Sequence, residues 1–112
     1  MVDLYPEYDD SVLVLNPLGR IDGTNAKAFE EALLGRIDAG DTQILMNFEG
    51  INYISSAGLR VLLMAAKRTS QSAGQLALCA VQDHIQEVFK FSGFSEIIPI
   101  HDDRPGALNT FV

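Results

Sequence analysis

Apolar positions along this chain follow two rhythms. Val12 to Leu15, Ile44 to Phe48 and the segment Gln75 to Val81 are short, nearly continuous apolar runs, bounded by Gly, Pro, Asn or Asp. Their length and branched side chains predict strands. The second and third runs lack polar alternation, as strands buried on both faces of a parallel sheet do. Between the runs the period lengthens. Ala26, Phe29, Leu33 and Ile37 recur at helical spacing, while Lys27, Glu30, Glu31 and Arg36 lie elsewhere. Leu59, Leu62, Leu63 and Ala66 predict the apolar face of a second helix, with Met64 in the core. Ile85, Val88 and Phe89 supply the face of a third, with Phe89 in the core.

End signals support these helices. Thr24 or Asp22 is positioned to cap the first, and Gly40 to end it. Gly35 inside it conflicts mildly with helix propensity. Lys67 and Arg68 sit near the end of the second helix, where cations suit the dipole, and Gly74 closes it. Asp83 and Gly93 bracket the third. Ahead of the first apolar run, Val2, Leu4, Glu7 and Tyr8 precede the turn residues Asp9-Asp10-Ser11, which predicts an opening hairpin with Pro6 on an edge strand. A last short edge strand is expected at Ile97 to Ile100, around Pro99, and a terminal helical turn in "RPGALNTFV". The order is β-β-α-β-α-β-α-β. It implies an α/β fold, a small mixed sheet with an opening hairpin, then parallel strands, and helices packed against it. Residues 1–112 read as one domain, with no linker, repeat or low-complexity segment.

Composition narrows the function. Fifteen acidic residues against eight basic ones give a net charge of −7. Nucleic-acid binding needs clustered Lys and Arg, and anionic membranes attract the same residues, so neither is expected as a partner. The apolar runs are far shorter than the roughly 20 residues of a membrane span. No charged-then-apolar leader opens the sequence, and the single cysteine, Cys79, has an apolar setting. A cytoplasmic protein is the expectation.

The chemistry-bearing stretch is "NYISSAGLRVLLMAAKRTS". Ile51 to Ser55 leads out of the strand region, and Ser56 to Gly58 opens the second helix. Ligand sites in open α/β sheets lie beyond the carboxyl ends of strands. A helix start also offers free N–H groups and the positive dipole end. The two hydroxyls serve either as a helix cap or as a site of modification. Catalysis has little support. Ile-Ser-Ser-Ala-Gly is not the Gly-x-Ser-x-Gly elbow, and His84 and His101 make no recognisable triad with a serine. One Cys and two distant His form no zinc pattern, and no phosphate-cradling glycine loop occurs. Asp102-Asp103 reads as a solvated loop. No catalytic residue, metal or cofactor is expected.

From Ile51 to Ile100 the chain resembles the STAS domain of bacterial anti-sigma factor antagonists. "LGRIDGTNAKAFEEAL" and "FSGFSEII" resemble further family segments in the right order, so the likeness spans nearly the whole sequence. The resemblance implies a STAS fold and a regulatory protein, not an enzyme. Such proteins bind an anti-sigma factor that is also an ATP-dependent serine kinase. Phosphorylation of one serine ends binding, and a PP2C-type phosphatase restores it. Aligned by Gly58 and Leu59, the acceptor falls on Ser56, with Ser55 as the alternative. Asp22 matches an acidic family position near the acceptor. Ser55, Ala57, Gly58, Arg60, Ser92 and Gly93 complete the implied partner-binding set. Ser55 stands where the family has Asp, and Ala57 where it has a second serine. A STAS scaffold or ligand-sensing module without serine phosphorylation is the alternative function.

Overall fold

The computed structural model describes residues 3–111. Five strands form one sheet: β1 (Glu7–Asp9), β2 (Val12–Leu15), β4 (Gln43–Asn47), β6 (Gln75–Cys79) and β7 (Ile100–His101), in the order β1-β2-β4-β6-β7. The β1–β2 pair is antiparallel and every other neighbour is parallel. A separate parallel pair joins β3 (Gly19–Ile21) to β5 (Ile51–Ile54). The helices are α1 (Ala26–Asp38), α2 (Ser56–Gln71), α3 (Asp83–Phe91) and α4 (Arg104–Leu108).

The sheet is covered on both faces, and the alternation of its side chains shows how. Leu13, Leu15, Ile44, Met46, Leu76 and Leu78 pack with Phe29, Leu33, Leu62, Ala65, Ile85 and Phe89 from α1, α2 and α3. Val12, Val14, Leu45, Ala77 and Cys79 point the other way, under Ala107, with Leu108 and Phe111 beside it. The expected mixed sheet and two-faced burial of the central strands are therefore present.

Several local expectations change. The opening strand is only Glu7–Asp9. The residues before it are tied down without a ladder: Asn16 N–H donates to the Leu4 carbonyl at 2.7 Å, and Tyr5 has φ +43°. Val2, expected in that strand, lies outside the described residues. Neither Asp22 nor Thr24 caps α1 with its side chain. Asn25 holds the N-cap position, and the Asp22 main-chain carbonyl accepts from the Ala26 N–H at 2.8 Å. Gln82, not Asp83, holds the N-cap position of α3, and Asp83 is the first helical residue. The left-handed residue after α2 is Ala73, at φ +58°. Gly74 serves close approach instead: a Cβ there would lie 2.1 Å from the Thr42 carbonyl oxygen. The strand expected at Ile97 to Ile100 is a 3-10 turn at Phe94–Glu96 followed by β7. Pro99 still marks a sheet edge, its carbonyl accepting from Leu78 N–H at 2.9 Å.

One correction bears directly on the site. The buried residues of α2 are Gly58, Val61, Leu62, Ala65 and Thr69. Leu62 is at the core, whereas Leu59 is half-buried and Leu63 is 36 % exposed. The packed stripe is rotated from the predicted one, and two leucines are left on the flank facing α3's end. Val88 is likewise exposed rather than buried, and Met64 is only half-buried.

Candidate functional site

The β3–β5 pair places the site. Ile21 is in register with Ile54, and Ser55 N–H donates to the Ile21 carbonyl at 2.8 Å. Two chain segments more than thirty residues apart in sequence thus end side by side, and each runs on into a loop or helix. From β3 comes Asp22; from β5 come Ser55 and the start of α2. Arg20 braces the pair, its guanidinium 4.4 Å from the ring centroid of Tyr53.

At the helix start the two serines separate. Ser55 is the N-cap: its backbone is extended, and its hydroxyl accepts from Gly58 N–H at 3.3 Å. Ser56 is the first residue of α2 and is exposed. No hydrogen bond involves its hydroxyl among the described residues. Gly58 is buried, and a Cβ there would approach Ile54 Cγ1 to 2.7 Å and Ile21 Cγ2 to 2.8 Å. Gly58 therefore supports the site from beneath and offers no surface to a partner. Ala57 is half-buried beside it.

Asp22 is held in place by its own loop. Its Oδ1 accepts from Thr24 Oγ1 at 2.6 Å and from Thr24 N–H at 2.9 Å, and its Oδ2 from Arg20 Nε at 3.3 Å. The Thr24 hydroxyl first, and then its N–H, hold the carboxyl below the usual carboxylate range. The side chain is an anion next to the β5–α2 junction. It is not a general acid.

A groove of about 230 Å³ opens beside Ser56, lined by Ser56, Leu59, Arg60, Leu63, Ser92, Phe94 and Ile97. The structure thus brings together Ser56, Arg60 and Ser92, three residues singled out from the sequence. Gly93, at φ +74°, turns the chain from α3 into the Phe94 segment that forms the far wall. Ser92 Oγ donates back to the Phe89 carbonyl at 3.1 Å, so it closes α3 as a helix-end serine. Leu59, Leu63, Phe94 and Ile97 were not expected here. The sequence pattern points the first two into the core and puts Ile97 in a strand. Leu59 and Leu63 carry the apolar stripe predicted from the sequence, which packing turns from the core onto the groove. Ile97 is 62 % exposed, and Phe91, on the outer side of α3, is 94 % exposed.

The geometry gives no nucleophile and base. His84 Nε2 lies 2.8 Å from the Asn52 carbonyl oxygen, and neither serine hydroxyl bonds a histidine among the described residues. No group of three or more His, Cys, Asp or Glu that could hold a metal ion occurs among them. No helix among them is long and apolar enough to cross a membrane. What the arrangement can do is present an accessible hydroxyl at the rim of an apolar groove that carries one cation.

Known proteins resemble this chain as a whole. The STAS domain model matches residues 6–107. BtrV of Bordetella bronchiseptica, named as an anti-sigma factor antagonist, is 37 % identical over 102 residues, covering 91 % of this chain and 88 % of that one. A crystal structure of an anti-sigma factor antagonist from Thermotoga maritima superposes with a TM-score of 0.92 at 22 % identity, over 96 % of this chain and 93 % of that one. Unphosphorylated SpoIIAA, an anti-sigma factor antagonist, gives a TM-score of 0.71 at 20 % identity, over 97 % and 94 % of the two chains. The matched family model spans nearly the whole sequence, its sheet order and its serine-bearing helix start, and this chain belongs to the STAS domain family.

Proposed function

We propose that this protein is a cytoplasmic anti-sigma factor antagonist whose docking surface is the groove beside the start of α2, switched off by phosphorylation of Ser56. It acts by binding and catalyses nothing. The observation that carries the switch is the division between the two serines. Ser55 is spent on the cap, whereas Ser56 is exposed on the groove with its hydroxyl available.

Unmodified Ser56 is small and neutral. An apolar partner surface can cover Leu59, Leu63, Phe94 and Ile97 with the serine at its rim. Phosphorylation adds about −1.5 to −2 charge and the bulk of three oxygens at that rim. The helix start tolerates an anion, so the fold survives. Docking is lost through charge and volume. The partner expected from the relatives' names is an anti-sigma factor, here one that also carries an ATP-dependent serine kinase activity. A PP2C-type phosphatase would return Ser56 to its binding form.

Peptide mass spectrometry on protein from its own cells, across growth and stress conditions, tests the assignment. Phosphate on Ser56 is the expected result. Phosphate confined to Ser55, or absent from both under every condition, would overturn it. Ser56→Ala should bind its anti-sigma factor under all conditions. Ser56→Asp should bind more weakly than wild type, though with less charge than phosphate.

A further inference from the structure

Arg60 lies four residues beyond Ser56 on α2, and both side chains line the same groove. Residues at this spacing are neighbours on a helix surface, and an acid preceding a base is the favourable orientation. Arg20 pairs with Asp22, Arg68 with Asp38, and Arg104 with Glu7 and Asp9, while Arg36, away from the groove on α1, has no carboxylate partner among the described residues. Arg60 is exposed and has no carboxylate partner among the described residues. It is also the one charged side chain among those lining the groove.

We infer that Arg60 is the internal receptor for a phosphate on Ser56, an inference that rests on the Ser56 switch proposed above. An arginine fork binds phosphate oxygens in a bidentate manner. The Ser55 hydroxyl already takes the Gly58 N–H, so that donor of the helix start is occupied, and Arg60 is the cation nearest in sequence to Ser56 on the groove. Phosphorylation would then act twice. It adds a dianion at the rim, and it withdraws the groove's cation from any partner. The formal charge of the lining goes from +1 to about −1. A partner suited to the unmodified groove would place an acidic group against Arg60, and that contact is the one the phosphate replaces.

Phosphoserine incorporated at position 56 during translation allows a direct test, in the full chain and without a kinase. The second ionisation of the phosphate is followed by phosphorus-31 NMR in wild type, Arg60→Gln and Arg60→Lys. At low salt the wild-type midpoint should lie below that of Arg60→Gln by about 0.3 pH unit, the size expected of one exposed pair on a helix. Arg60→Lys should restore part of the difference, and 1 M salt should shrink it. Thermal melts of the unphosphorylated proteins check that each variant folds. Coincident midpoints, or a difference unchanged by salt, would overturn the role of Arg60 and leave the Ser56 switch intact. Failure to find phosphate on Ser56 in cells would do the reverse, because the phosphate in this test is installed.

Discussion

Two adjacent serines with one side-chain chemistry have different environments, and the difference is measurable. Ser55 accepts a hydrogen bond from Gly58 N–H and so satisfies one of the orphan donors of α2. Ser56 makes no such bond among the described residues and is exposed. Ser55→Ala should therefore cost about 1 kcal/mol, the usual loss for an N-cap, and lower the melting temperature by about 4 °C. Ser56→Ala should stay within about 0.5 kcal/mol of wild type, as surface changes do. Urea unfolding of both variants decides. Equal losses would mean that the hydroxyls share the cap, and the separation of a capping serine from a free one would fail. The sequence placed both hydroxyls at the junction but left open which was which. The cap is chosen by backbone angles, and only the β3–β5 register fixes where β5 stops and α2 begins.

At the scale of elements, the informative helix is α2. Leu59, Leu62, Leu63 and Ala66 have helical spacing, and so do Gly58, Val61, Leu62, Ala65 and Thr69, the set that is buried. Both stripes are good solutions of the same periodicity, because neighbouring leucines lie about 100° apart around a helix. Larger side chains favour the first stripe on sequence alone. Tertiary packing selects the second, since the small Gly58 lets α2 close onto Ile21 and Ile54. Leu62→Ala, at a fully buried position, should cost 2–5 kcal/mol. Leu63→Ala, on the groove, should cost less than about 1 kcal/mol while weakening partner binding. Denaturant unfolding and a binding assay on the two variants would read this out, and a large stability loss at Leu63 would restore the stripe predicted from the sequence. Other differences have local causes. β3 and β5 were not foreseen because each spans three or four residues, flanked by Pro17 and Gly50, and β5 is buried only at its two ends. The wall at Phe94 and Ile97 was not foreseen because Ile97 to Ile100 has strand composition, yet Gly93 starts a tight turn there. The α1 stripe and the central strands were legible because their periods admit one solution each, and the serine junction because an apolar run there gives way to a helical period.

At the scale of the whole molecule, the two faces of the sheet differ in how they are closed. Three helices cover one face, and the other rests under α4, five residues long, with Phe111 behind it. A helix that short has no stability of its own in water. It is held by Ala107 against Val12, Val14, Leu45, Ala77 and Cys79, by the Asp103 carboxylate accepting from Gly106 N–H at 2.8 Å, and by Arg104 reaching Glu7 and Asp9 on β1. The ion pairs are exposed and contribute little. Cys79 beneath reports on this closure. Burial pushes its thiol up to about 11, so little nucleophilic thiolate exists at neutral pH and access is blocked as well. If α4 opens as a unit, a disulfide reagent at pH 8 should label Cys79 at a rate nearly independent of low urea, because a small opening exposes little surface. Asp103→Ala, losing a cap of about 1 kcal/mol, should raise that rate about fivefold. A rate that climbs with urea along the full unfolding slope in both proteins would show instead that the thin face opens only with the whole domain. The groove side, closed by α1, α2 and α3, should stay folded during the local opening. A labelled protein would then keep its affinity for the partner, because the Ser56 groove and the Cys79 side chain lie on opposite sides of one sheet.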